Sequence, residues 1–383
     1  MNRRMVRRNA VALTLCTAVV ALAGATTPAA GATAPPATST ASYESVTRIE
    51  EQTAKAVAMS LGDAQWREEL RLAVLESSEI GLHSLTTSAK SAAGGELART
   101  VAAADRRIAA AKGLDGRVSS LLRLRLGTET MRQELSPGTQ PLVAVATQDD
   151  DAMTVTAYDS RGRAHTLDAA EAPRQAVYVI DLDMSQAVSA GLDLLAEELT
   201  DHGLHPAASD RKAPTDLAAA GGFWTTKVDS VYLKDDEEPW ISGDAEIFSL
   251  VSGFGLDGKV RVDPVDMPYL DTDERTYYPN QVLVNWSFYK YNLADVVMME
   301  DDGDTNYRAL ATAIADALLT IIDQGAYIPL VNAVLDAIPD SWYTNDPDYV
   351  DSWYTLAVDT DGHRNGARGN GRMNLSPYWV DEL

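Results

Sequence analysis

Cysteine is all but missing from this sequence: its 383 residues include one, Cys16. With no second thiol, neither an intramolecular disulfide nor a thiolate metal site can form. Histidine is scarce as well, at five residues, and none stands in an H-E-x-x-H arrangement. His202 and His205 lie three residues apart with no third ligand beside them, so they read as an exposed loop rather than a zinc site. G-x-S-x-G, the complete phosphate-binding G-x-x-x-x-G-K-[ST] motif and a G-x-G-x-x-G opening a helix are all absent. The run Gly366-Ala367-Arg368-Gly369-Asn370-Gly371 is glycine-rich but lies between two strand-like segments, and it reads as a flexible loop. Positive charge is short: 32 Lys and Arg stand against 56 Asp and Glu, a formal charge of -24. That sign repels nucleic acid and anionic membrane surfaces and suits cations.

What is present begins with an export signal. Arg3, Arg4, Arg7 and Arg8 precede an uncharged run from Ala10 to Ala25, followed by Ala29, Ala30, Gly31 and Ala32. This is the order of a secretory signal peptide, spanning residues 1–32. Its apolar run is shorter than the ~20 residues a bilayer span needs, so no stable membrane insertion is expected after cleavage. Ala23-Gly24-Ala25 and Ala30-Gly31-Ala32 both fit as cleavage sites, and the low-complexity linker at 33–42 favours the second. Arg7-Arg8 leaves the general and twin-arginine routes both open. Cys16 follows Leu15 rather than a small residue, which argues against lipidation. Cleavage would remove Cys16 and four arginines, taking the charge to -28. The expected location is extracellular, where calcium is available.

The mature chain divides by pattern. From 43 to 201 it reads as helices plus a small sheet, with Val46, Ile49, Thr53, Val57 and Leu61 at helical spacing and Asp63 placed to cap the next helix. Leu114, Val118, Leu121, Leu122 and Leu126 extend that spacing and predict a fourth helix. Strand-like runs follow at 141–146, 153–158 and 176–180, with turn chemistry at Asp159-Ser160-Arg161-Gly162, and then a helix at 185–199. A linker is expected at 202–222. The remainder, 223–383, alternates apolar and polar residues as an antiparallel β-sandwich would, with a helical insertion at 305–338. The fold class expected is therefore α+β. This last region holds 29 acidic residues against 10 basic ones.

The acids cluster at predicted strand ends: Asp235 to Glu238, Asp271 to Glu274, Glu300 to Asp304, Asp346 with Asp348 and Asp351, and Asp359 with Asp361. Carboxylates gathered on neighbouring loops repel one another unless a cation lies among them, and calcium takes six to eight oxygens. Asp302-Gly303-Asp304-Thr305-Asn306 begins like an EF-hand loop, but Tyr307 and Ala313 stand where its glycine and glutamate belong, so an EF-hand is excluded. Asp235, Asp236, Glu238, Glu300, Asp302 and Asp304 are the candidate calcium ligands. Acidic turns that bind nothing are the plain alternative for any one cluster. Trp240 and Trp342 fall in loops and are the candidates for stacking on a glycan or other surface polymer. A second function class, a secreted glycosidase-like hydrolase, needs only two carboxylates across a groove.

The run Asp236-Glu237-Glu238-Pro239-Trp240-Ile241-Ser242-Gly243-Asp244-Ala245-Glu246-Ile247, with Met299-Glu300-Asp301-Asp302-Gly303-Asp304, resembles a family of exported bacterial proteins known only as a domain of unknown function. The resemblance implies an extracytoplasmic bacterial protein without an assigned activity, and it carries no functional residue to this chain.

Overall fold

The computed structural model describes residues 45–147, 152–205, 221–234, 241, 246–270, 274–301, 303, 305–321, 323–337 and 349–381. It is a mixed α+β fold whose C-terminal half is rich in strands. The first helices start where side chains take up free backbone donors. Ser45 accepts from Arg48 N ahead of α1 (Val46–Ser60), Asp63 accepts from Trp66 N at 2.8 Å ahead of α2 (Ala64–Glu76), and Ser91 accepts from Gly94 N ahead of α4 (Ala92–Ala111). The expected cap at Asp63 is thus in place. A three-residue strand, β1 (Glu79–Gly81), and the short α3 (Leu82–Thr87) separate α2 from α4.

The fourth helix expected after Gly113 does not form. Leu122–Leu126 is instead a strand, β2, with Leu122, Leu124 and Leu126 buried and the arginines between them half-buried. Helical spacing and strict alternation overlap in this stretch, and alternation wins because the arginines find partners across the sheet. Arg125 Nε bonds Asp181 Oδ2 at 2.8 Å, and Arg123 pairs with Asp183. The strand joins β3 (Leu142–Val145), β4 (Thr154–Tyr158), β5 (Ala164–Asp168) and β6 (Val177–Leu182) in a six-stranded sheet of order β1-β2-β6-β3-β4-β5, antiparallel except for β3 with β6. Asp159 Oδ1 accepts from Arg161 N and Arg163 N to close the β4–β5 turn, where Gly162 sits at φ +72°.

Two further sheets follow α5 (Met184–Asp201). One holds β7 (Gly222–Leu233), β10 (Thr276–Tyr277), β11 (Gln281–Asn285), β14 (Gly362–Asn365) and β15 (Gly371–Asp381). The other, of order β13-β12-β8-β9, holds β8 (Ile247–Gly255), β9 (Val260–Asp266), β12 (Tyr289–Glu300) and β13 (Tyr349–Ala357). Along β8 and β12, alternate residues feed two separate cores. Phe248, Leu250, Val297 and Met299 pack with α5, α6 (Tyr307–Leu318) and α7 (Val331–Ala337), while Ile247, Val251, Val296 and Met298 pack with Val228, Val231 and Leu375 of the other sheet. All nine residues of β8 are buried, the small Ser249, Ser252, Gly253 and Gly255 included.

Each buried Leu- or Val-sized side chain contributes about 1.5–3 kcal/mol. Against that scale the caps are small but separable. Asp63→Ala should lower the unfolding free energy by about 1 kcal/mol, read as a shift of urea midpoint with an unchanged slope.

Candidate functional site

The most densely connected polar group lies where α4 ends and α6 begins. Gly113, at φ +72°, turns the chain away from α4, and Leu114 N bonds back to Ala109 O at 2.7 Å. This leaves the carbonyls of Ala111 and Lys112 without intrahelical donors. Asn306 Nδ2 donates to Ala111 O at 2.6 Å and Tyr307 N to Lys112 O at 3.1 Å, so the start of one helix completes the end of the other. Asn306 Oδ1 also caps α6 by accepting from Ala309 N. Asn306 is thereby engaged at both ends of its amide.

Lys112 runs into the same junction with no exposed side-chain surface. Its Nζ donates to Gly303 O at 2.7 Å and lies 3.3 Å from both oxygens of Asp301, whose side chain is equally sealed from solvent. Asp301 further accepts from Gly303 N and from the Tyr307 hydroxyl. Burial, and then the charge of Asp301, hold the Tyr307 hydroxyl far above the ordinary phenol range, so it stays protonated and donating. The Tyr307 ring lies against Gly191 of α5, where a Cβ would come within 2.3 Å of it. One acid of the Glu300–Asp304 run is thus neutralised by an internal lysine, with no metal needed.

The edge around this junction remains acidic. Asp301 N bonds Glu246 O at 3.1 Å, and Glu246 and Asp266 both add to the field that raises Tyr307. Asp266 ends β9 opposite Phe248; burial raises its carboxyl above the ordinary range, and its Oδ1 is buried with no hydrogen-bond partner among the described residues. Glu300 pairs with Ile247 in the strand register and so projects to the opposite face of the sheet from Asp301. Of the six residues expected to hold calcium, Glu300 alone can be placed. Asp235, Asp236, Glu238, Asp302 and Asp304 lie outside the described residues, as do Trp240 and Trp342. No group of three or more His, Cys, Asp or Glu with metal-binding geometry occurs among the described residues.

In two other acidic runs the described residues form ordered backbone structure. The Asp351 carboxylate is fully buried and accepts four backbone donors: Ser352 N and Arg368 N on Oδ1, Asn370 N and Gly371 N on Oδ2, all between 2.6 and 2.9 Å. A Cβ on Gly366 would lie 2.1 Å from that carboxylate. The glycine-rich run, read from sequence as a flexible loop, is a backbone cradle for an anion whose occupant is the protein's own side chain. At Asp359 and Asp361 the chain makes a turn held by Thr360, whose N bonds Ala357 O and whose Oγ1 accepts from Ala357 N. Lys112, Tyr307 and Asp266 carried no sequence signal as a group, because they come from three distant segments. The one clue was Gly113, a helix-stop glycine directly after a lysine.

Fold and edge together define an acidic α+β protein with a carboxylate-rich strand edge closed by a buried lysine. The chain belongs to the family described as protein of unknown function (DUF3103), which matches residues 52–382. No curated protein and no solved structure matches it. Lys112→Met should cost about 3–5 kcal/mol of stability by stranding the Asp301 charge. Adding Asp301→Leu should recover more than half of that loss, both read by urea unfolding.

Proposed function

We propose that this chain is an exported, calcium-binding protein whose strand-rich half recognises an extracellular ligand such as a glycan or surface polymer. The observation that carries the calcium reading is Asp266. A buried carboxylate oxygen without a hydrogen bond is costly, and the Asp266 charge adds to those of Glu246 and Asp301 around Tyr307, while Glu300 faces the other side of the sheet. A hard cation would supply the missing partner.

Connectivity supports the reading too. Glu300 and Ile247 are register partners, as are Met299 and Tyr349. Ile247, Met299, Glu300 and Tyr349 therefore lie side by side at one end of the sheet, and Asp302 and Asp304 are the proposed ligands that follow Asp301 in sequence. Asp235, Asp236 and Glu238 stand as further ligands, and Trp240 and Trp342 as sugar-stacking residues. We also read the two C-terminal sheets as the leaves of a sandwich. They share one apolar core, and α6 and α7 lie in the chain between the paired strands β12 and β13, as a helical insertion at 305–338 would. The basic, then apolar, then small-residue order of residues 1–32 supports export.

Calcium at about a hundred times its dissociation constant should stabilise the purified chain by about 2.7 kcal/mol, an effect reversed by chelator in a thermal melt. No heat on titration and no change in melting temperature would end the proposal. Asp266→Asn separates the site from the fold. Because the folded carboxyl is raised, its ionisation opposes folding as pH rises through the neutral side of the carboxylate range. The variant should therefore match or exceed the parent in chelator at neutral pH, yet gain nothing from calcium. Chain recovered from culture fluid should begin at Thr33 on N-terminal sequencing.

A further inference from the structure

A second polar cluster lies away from that junction, where the chain leaves α5 and runs along β9. β9 is an edge strand, and Leu204 O accepts from Val262 N at 2.8 Å to cover it. This places His205 Nδ1 2.9 Å from Asp263 Oδ1 and 2.9 Å from Val262 O. Both neighbours are acceptors, so Nδ1 carries the proton and the lone pair of the neutral ring is on Nε2. Nε2 makes no hydrogen bond among the described residues, and the His205 side chain retains 18% of its exposure.

Asp263 is held firmly. Arg261 donates to it through Nε and Nη2, each at 2.6 Å, and the Tyr289 hydroxyl donates at 2.6 Å. Burial alone would raise this carboxyl, but the His205 hydrogen bond and the Arg261 charge outweigh it and keep the group below its ordinary range. The Arg261 guanidinium lies over the Phe288 ring at 4.2 Å, and Tyr289 fits because residue 253 is glycine, where a Cβ would meet its ring at 2.7 Å. Orientation of a histidine by a saturated, ionised carboxylate, with the far nitrogen open, is the geometry of a general-base pair. Two further basic side chains stand at this turn. Lys259 Nζ lies 3.3 Å from the position of a Cβ on Gly203, and His202 caps the end of α5. The acids nearby are engaged: Asp257 accepts from Lys259 N, and Asp323 pairs with Lys290 and Tyr291.

We infer that His205 and Asp263 form a general-base pair at which the chain hydrolyses an anionic carboxylic ester, with water as the nucleophile and Lys259 receiving the substrate's charge. Nε2 takes a proton from water as its oxygen bonds the acyl carbon. The tetrahedral intermediate then expels the alcohol oxygen, which receives that proton from Nε2. Water and ester become acid and alcohol, with no change of oxidation state. This inference is independent of calcium binding, and the assay is run with chelator present so that the two fail separately.

The test compares the purified chain with His205→Gln and Lys259→Gln on 4-nitrophenyl acetate and on mono(4-nitrophenyl) succinate, with circular-dichroism melts to confirm folding. The parent should hydrolyse both esters faster than buffer, with a rate that rises with pH through one ionisation. His205→Gln should lose roughly a hundredfold in kcat and lose that ionisation. Lys259→Gln should raise KM for the succinate ester alone. Equal rates for the parent and a folded His205→Gln would overturn the inference and leave the cluster as a clasp on β9. Should His205→Gln fail to fold, a parent rate that follows hydroxide alone, with no ionisation of its own, overturns it as well.

Discussion

A lysine ammonium cannot be left dry in a protein interior without a charge and acceptors to meet it. At Lys112 the requirement is met by one carboxylate and one carbonyl, from Asp301 and Gly303. Everything near the centre of this fold follows from that. Lys112 ends α4, Asp301 follows the last residue of β12, Tyr307 opens α6, and Gly191 of α5 yields the space that the Tyr307 ring fills. Four elements from three separate parts of the sequence meet at one ion pair. Burying such a pair yields little net stability over an apolar replacement, but losing one member is costly, so the pair penalises any arrangement in which these elements do not meet.

The same pattern runs through the other buried acids. Asp105 Oδ1 accepts from Leu121 N and Leu122 N, and Asp295 accepts from Leu330 N and Thr355 N. Thr355 is held there at φ +55°, a conformation a β-branched residue adopts only under constraint. Asp351 takes four backbone donors at once. These carboxylates act as internal acceptors that order loops, much as a bound anion would. A strongly acidic composition therefore overstates the number of oxygens open to a cation. That is why Asp266, half-buried and with one buried, unanswered oxygen, says more about cation binding than the larger acidic runs do.

Much of the secondary structure was legible, because most segments carry one dominant period. α1, α2, α5 and α6, and strands β3, β4 and β6, lie where the sequence pattern put them, and the stretch after 223 is rich in strands. The failures occurred where two periods coincide or where strands are short. Leu122, Leu124 and Leu126 satisfy alternation, while Val118, Leu122 and Leu126 satisfy the spacing of a helix face, and only the partners of Arg123 and Arg125 decide between them. β5, β9 and β14 were not foreseen: β5 and β14 are five residues or fewer, and β9 carries Pro264 amid charged residues.

Sequence by itself determined the surplus of acid, the absence of disulfides, the helix cap at Asp63 and the turn at Asp159, since each depends on residue type or on neighbours a few positions away. Tertiary structure decided which acids are already partnered and which are not. Asp301, Asp351 and Asp359 all read alike in the sequence as members of acidic runs. One is neutralised by a lysine 189 residues earlier, one is enclosed by a glycine loop 17 to 20 residues later, and one stands beside a threonine-held turn. Burial and long-range partners set the chemistry of a carboxylate, and neither is a property of its local sequence.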